Sequence, residues 1–197
     1  SRMIRDMVFL AQADNTQLSI ERQPVELGGL ALKVASFFEA AAEERSLRIA
    51  VQGEGVVEAD RIMIERALGN VLSNALRHAR PHSTIDVTIT PSVNDVSIVI
   101  ANQGTYIPPD VASRLFDRFF RGDAARQGEG AGLGLAIVKS IIELHRGSVA
   151  VTSEQSGETR FTLRIPAVAT DSENSSNENM PSRISAGLPS DAAAHPT

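Results

Sequence analysis

Apolar side chains recur along the chain with two periods, and the switches between them mark its elements. Met3, Met7 and Leu10, with Ile4, Val8 and Ala11, form a helical stripe that ends before Pro24, whose ring cannot continue a helix. Leu30, Val34, Phe37, Phe38 and Ala41 repeat at helical spacing and predict a helix over about 27–46. Leu47, Ile49 and Val51 then alternate as a half-buried strand, closed by a turn at Gly53-Glu54-Gly55. Asp60 is placed to N-cap a long helix running to His78, with Ile64, Ala67, Leu68, Val71, Leu72 and Ala75 as its core stripe. Two alternating strands follow, Ile85-Val87-Ile89 and Val96-Ile98-Ile100. A glycine-bearing loop, a short segment over 115–120 and a second glycine-rich loop lead to a helix over about 133–146, with Gly147 as its expected C′ residue. A hairpin of 149–153 and 160–165, turning at Ser156-Gly157, completes the pattern. Helices interleaved with strands and hairpins predict an α/β fold, a two-layer sandwich with a mixed, mostly antiparallel sheet.

Both ends depart from this pattern. Residues 168–197 are rich in Ser, Asn, Asp, Ala and Pro with no sustained period, and are expected to form a disordered tail, since they cannot bury enough surface to offset their ordering entropy. The first helix, alone, would expose its apolar side, so it is expected to pack on another helix in a longer parent protein or in a dimer, or on its own domain. Residues 25–167 are then the domain proper.

Composition narrows the function. Of the net charge of −5, the tail holds −3, through Asp171, Glu173, Glu178 and Asp191 against Arg183. The nearly neutral remainder lacks the basic footprint of nucleic-acid binding, so any phosphate must be held by local devices. Cysteine is absent, which removes thiolate metal sites and a Cys nucleophile. No apolar run approaches the roughly 20 residues of a membrane span and no secretory signal is present, so a cytosolic domain is expected.

Three stretches carry chemistry. Asn70, Asn74, Arg77 and His78 fall at i, i+4, i+7 and i+8 and share one helical face. Amide oxygens can ligate Mg²⁺ together with phosphate oxygens, and a guanidinium adds fixed charge and forked donors. Gly128-Glu129-Gly130-Ala131-Gly132-Leu133-Gly134-Leu135 runs straight into a helix, where backbone N–H groups and the helix dipole favour phosphate. It is neither a Walker A loop nor the dinucleotide fingerprint. Asn102-Gln103-Gly104-Thr105-Tyr106-Ile107-Pro108 lies at a strand end, and an Asn there can complement an adenine edge. Leu115-Phe116-Asp117-Arg118-Phe119-Phe120-Arg121 follows, with two bases that could face phosphates. Taken singly, each stretch also fits a plainer role: a solvated helix face, a glycine hinge, a turn before a packed knuckle.

Together and in this order, the stretches closely resemble the N, G1, F and G2 boxes of the catalytic ATP-binding domain of bacterial sensor histidine kinases, which has the Bergerat or GHKL fold. The resemblance covers about 27–166, and residues 1–24 are similar to the second helix of that family's dimerisation domain. The spacing of Asn102, Gly104, Ile107 and Pro108 with the 115–121 knuckle is most similar to copper/silver-type heavy-metal sensors. The resemblance implies that Asn74 ligates Mg²⁺ with Asn70 one turn before it, that Arg77 contacts phosphates, and that His78 lies by the adenine. Asn102 and Gly104 then belong to the base pocket, with Ile107, Phe119 and Arg121 around the nucleotide. Gly130, Gly132 and Gly134, with Leu133 and Leu135, line the phosphate side, and residues 122–131 are the lid.

Two positions depart from the family pattern: Asn102 stands where most members have Asp, and Tyr106 where many have a second glycine. The four histidines are His78, His82, His145 and His195, and none sits in the phosphoacceptor context of the family. The implied partners are therefore a dimerisation domain of the parent that carries the phosphoacceptor histidine, and the receiver domain of a response regulator. The parent is expected to be a homodimer of the bacterial inner membrane, with this chain as its cytoplasmic part. The alternatives are an ATP-hydrolysing clamp of the same superfamily and a nucleotide-binding pseudo-kinase. Against hydrolysis, the position that holds a water-activating Glu in those ATPases holds Asn70, and an amide is no general base.

Overall fold

The computed structural model of the 197-residue chain describes residues 2–14, 18–120 and 132–167. Its elements run α1 (Arg2–Asp14), β1 (Gln23–Glu26), α2 (Leu27–Glu43), β2 (Arg48–Gln52), β3 (Val56–Ala59), α3 (Arg61–His78), β4 (Thr84–Pro91), β5 (Asp95–Gln103), α4 (Pro109–Ala112), α5 (Gly134–Leu144), β6 (Ser148–Ser153) and β7 (Glu158–Pro166). Five strands form one sheet in the order β2-β4-β5-β7-β6. Only β2 and β4 pair in parallel; the other three pairs are antiparallel. Helices α2, α3 and α5 cover one face of this sheet and give the expected two-layer α/β sandwich.

The alternating positions seen in the sequence are the ones buried between the layers. Ile85, Val87 and Ile89 on β4, Val96, Ile98 and Ile100 on β5, and Phe161, Leu163 and Ile165 on β7 are at most 3% exposed. They meet the α3 stripe of Ile64, Ala67, Leu68, Val71, Leu72 and Ala75, and α5 through Ile137, Val138, Ile141 and Ile142. Burying a side chain of this size contributes about 1.5–3 kcal/mol, so this interface dominates the stability of the domain.

Several boundaries differ from expectation, each for a local reason. The antiparallel pair β1–β3 was not visible as periodicity, because it joins Gln23-Pro24-Val25-Glu26 to Val56-Val57-Glu58-Ala59 with only Val25, Val57 and Ala59 buried. Helix α2 stops at Glu43 rather than 46: Ser46 turns left-handed (φ 54°), and Leu47 N–H closes back on Ala42 O at 2.8 Å. Gly147 is not the left-handed residue after α5. Arg146 takes that role (φ 60°), its N–H bonding Glu143 O and that of Gly147 bonding Ile142 O. Glycine is required at 147 for another reason, since a Cβ there would lie 2.1 Å from Arg164 O. Residues 115–120 form turns after the short helix α4.

Helix α1 packs on α5, and its Phe9 and Leu10 are buried in the core, 8% and 2% exposed. Asp6 pairs with Arg66 at 2.6 Å, and the same guanidinium lies 4.4 Å from the Phe9 ring centroid. Met3, Ile4, Met7 and Val8 stay between 44% and 61% exposed, so α1 meets its own domain with one face only. No helix among the described residues is long and apolar enough to cross a membrane. The expected tail, 168–197, lies outside the described residues.

Candidate nucleotide-binding site

Helix α3 supplies the first wall. Asp60 caps it as expected, its carboxylate accepting from the N–H groups of Ile62 and Met63 at 3.0 and 3.1 Å. With Leu68, Val71, Leu72 and Ala75 turned into the core, Asn70 and Asn74 are left half-buried and Arg77 and His78 exposed along one edge. The last turn is held by Arg45, which reaches across from the end of α2 to donate to Leu76 O and, at 3.4 Å, to Ala79 O. Desolvation, then the neighbouring Arg77 and Arg45 cations, lower the His78 imidazole below its ordinary 6.5. It is therefore a neutral, flat side chain at pH 7.

The start of α5 faces this wall. Asn70 Oδ1 lies 3.7 Å from where a Cβ on Gly134 would stand, which is ordinary contact distance. Leu133, at the N-cap, offers no side-chain hydrogen bond to the first N–H groups of this 11-residue helix. A long helix opening this way favours an anion. Gly132 has φ +66°, and a Cβ there would strike the Phe119 and Phe120 backbone at 2.9 Å. Phe119 is itself left-handed (φ 61°), and its N–H donates to Gly132 O at 3.0 Å. Leu133 is buried in the core and Leu135 packs against it, so both contribute position rather than side-chain contact. Arg121, Gly130 and the expected lid over 122–131 lie outside the described residues.

The third wall is the end of the sheet, and here the sequence reading missed two residues. The inward positions of β5, β7 and β6 lie in register rows: Ile98 with Leu163 and Val149, then Ile100 with Phe161 and Val151. The next row is Asn102, Thr159 and Ser153. All three strands thus turn polar in the same row, at the end of the apolar core. Asn102 is 4% and Thr159 3% exposed. Ser153 Oγ accepts from Ile107 N–H at 3.0 Å and lies 3.0 Å from Thr159 Oγ1. The signal was present in the sequence, because each inward alternation ends in a polar residue, but it appears only once the register is known.

Backbone contacts knit these walls together. Gly104 N–H donates to Gly157 O at 2.7 Å, and Arg80 N–H donates to Gln103 O at 2.7 Å. A Cβ on Gly104 would sit 2.6 Å from His78 O, so glycine is required where β5 passes under the end of α3. The 115–120 knuckle is anchored by Phe116, edge-on to Phe161 at 6.3 Å between centroids. Arg118 does not point at the site as expected: it pairs with Asp14 of α1, which lowers the Asp14 carboxyl below its ordinary value through that hydrogen bond.

A model of the histidine kinase-, DNA gyrase B- and HSP90-like ATPase family matches residues 59–169. The chain belongs to this family. Among its relatives, Sensor histidine kinase CusS of Escherichia coli K12 is 48% identical over 170 residues, covering 85% of the chain and 35% of CusS. Sensor protein CzcS of Cupriavidus metallidurans is 43% identical over 192 residues, covering 96% of the chain and 39% of CzcS. The chain therefore spans little more than a third of the length of these sensor kinases. Among solved structures, full-length ShkA in complex with AMPPNP superimposes with a TM-score of 0.74 at 25% identity, over 85% of this chain and 36% of ShkA. ATP binding follows from the family.

Proposed function

We propose that the chain is the catalytic part of a sensor histidine kinase, transferring the γ-phosphate of ATP to a histidine on the dimerisation domain of its parent. The observation that carries this reading is the opposition of the Asn70–Asn74–Arg77–His78 edge to the uncapped start of α5, with Asn70 at contact distance from Gly134. Mg²⁺ fits the donors present, because two neutral amide oxygens one helical turn apart suit an ion that keeps phosphate oxygens and waters as its remaining ligands. Asn74 and Asn70 would hold it, and it would supply charge neutralisation along the phosphates. Among the described residues no cluster of three or more His, Cys, Asp or Glu offers another metal cage.

Each residue then has a task. The α5 N–H groups and Arg77 bind phosphate oxygens, neutral His78 covers the base or ribose, and Asn102 accepts from the adenine amine. In transfer, the bond between the γ-phosphorus and the bridging oxygen breaks, an imidazole nitrogen takes the phosphoryl group, and ADP leaves. Nothing on the α3 edge offers a carboxylate to activate water, which supports transfer over hydrolysis. The relatives' names support a sensor kinase, and the resemblance of the 102–121 motif extends the reading to a heavy-metal signal of the copper/silver type, an inner-membrane homodimeric parent, and a response-regulator receiver domain as the next acceptor. Residues 1–24 are read as the end of the dimerisation hairpin.

Calorimetric titration of the chain with ATP and GTP, each with and without Mg²⁺, tests the site. Selective, Mg²⁺-tightened binding of ATP is expected. Absence of adenine-nucleotide binding would remove the proposal.

A further inference from the structure

The end of α3 lacks the usual way of closing a helix. The last carbonyls of a helix have no partner within it, and a left-handed residue commonly turns the chain back over them. Here Ala79 is extended instead (φ −66°, ψ 144°), and its N–H donates to Ala75 O at 2.8 Å. Arg80 N–H, which in a continued helix would reach Leu76 O, leaves for β5 and donates to Gln103 O at 2.7 Å. This exit ties α3 to the end of the sheet beside Asn102. It also leaves the carbonyls of Leu76 and Ala79, residues 6% and 3% exposed, without a backbone donor among the described residues.

Arg45 fills both places. Its guanidinium donates from Nη1 to Leu76 O and from Nη2 to Ala79 O, the latter at 3.4 Å. A planar fork of fixed donors suits two carbonyls that bracket Arg77 and His78, and a lysine ammonium, a point charge on a flexible stem, does not reproduce it. The root of this side chain is itself held. Arg45 N–H donates to Ala42 O at 3.0 Å, His82 N–H to Ser46 O at 2.9 Å and Arg48 N–H to Ser83 O at 3.1 Å, so the turn after α2 is laced to the segment after α3. On the other side, His78 O lies against Gly104, where a Cβ would sit 2.6 Å from it. The backbone of His78 is thus held between the Arg45 fork and the end of β5.

From this geometry we infer that Arg45 is a positioning residue for nucleotide binding: it closes the end of α3 in place of a backbone cap and so fixes the turn that carries His78 before the nucleotide arrives. The inference rests on the reading that His78 faces the base or ribose. The test is a double-mutant cycle on the full chain, read by calorimetry as the dissociation constant for ATP with Mg²⁺. Arg45→Ala should weaken ATP binding about three- to tenfold, because the freed last turn must then be ordered on binding. His78→Ala should weaken it as well. The double variant should bind within about twofold of His78→Ala alone, since the two losses share one cause. A merely structural role for Arg45 lowers the melting temperature but multiplies the two losses, and that result would overturn the inference, as would parent affinity in Arg45→Ala. Arg45→Lys keeps the charge without the fork and should show the same loss and the same cycle. It carries the test should Arg45→Ala fail to fold, and parent affinity in it overturns the inference equally. Parent affinity in His78→Ala would remove the footing of the inference and overturn it too. A parent chain that does not bind ATP would defeat the proposed function itself, whereas a parent that binds ATP with losses that multiply would defeat only the role of Arg45.

Discussion

Asn70 and Asn74 are neutral, and that neutrality decides what their helix can do. Amide oxygens can complete a Mg²⁺ shell already occupied by phosphate, but they bring no charge of their own, so affinity for the ion should arise only with the nucleotide present. Asn74→Ala is expected to abolish the tightening of ATP binding by Mg²⁺ while leaving the thermal transition unchanged; calorimetry with and without the ion reads this, and an undiminished Mg²⁺ effect would exclude Asn74 as a ligand. At the other end of the site, Asn102→Leu should cost about 1–3 kcal/mol of ATP binding, because the base edge is left unpaired in a buried place. Asn102→Asp should keep ATP, since the carboxylate still accepts from the amine. Equal binding by the Leu variant would show that the base is read elsewhere.

The elements are fastened to one another at their ends, and those fastenings make the next predictions. His145, fully buried at the end of α5, donates from Nδ1 to Ile141 O at 2.7 Å and accepts at Nε2 from Asp60 N–H at 2.9 Å, so α5 holds the cap of α3. Desolvation lowers its pKa below 6.5; the Ile141 bond and Asp60 act the other way, while Arg22 adds to the lowering. A group that binds protons more readily unfolded than folded makes stability rise with pH. This contribution is complete above about 6.5 and is lost as the pH falls below 6.5 toward the lower folded value. His145→Gln, which keeps an acceptor but does not titrate, should show a flatter melting-temperature profile between pH 7.5 and 5.5 than the parent; parallel profiles would refute the linkage. At the same helix end, Arg146→Gly should stabilise by about 0.5–1 kcal/mol by relieving a left-handed backbone, and Gly147→Ala should destabilise by about 1–3 kcal/mol through its clash with Arg164 O, both measured by urea unfolding. Sequence alone pointed to Gly147 as the left-handed residue because glycine is the usual choice there, and the approach of β7 is a tertiary fact. The helices α3 and α5 and the strands β4, β5 and β7 were legible because their core faces repeat strictly; α2 was legible as a helix although Phe37 of its expected stripe is 83% exposed. The β1–β3 pair has too few buried positions to repeat. The α3 edge could be read from spacing along one element, whereas the Asn102–Thr159–Ser153 row draws on three strands and needed the register.

For the whole molecule, the chain holds a nucleotide site and four histidines, none in a phosphoacceptor context. Incubated with γ-labelled ATP it should stay unlabelled and hydrolyse slowly; adding the parent's dimerisation domain, fused or in excess, should restore acid-labile label on that domain. Stable label on the chain alone, or brisk hydrolysis, would place it on another branch of its superfamily. The position of β5 at the centre of the sheet has a further consequence, one that concerns time. Its first neighbour, β4, directly precedes it, but its second, β7, is the last described strand to leave the ribosome. Until residues 158–166 emerge, β5 presents a row of unpaired N–H and C=O groups, and Asn102 has no Thr159 beside it. A nascent chain paused at that point cannot hide its open edge from neighbouring chains. Protection from edge-to-edge association is therefore gained only late in synthesis.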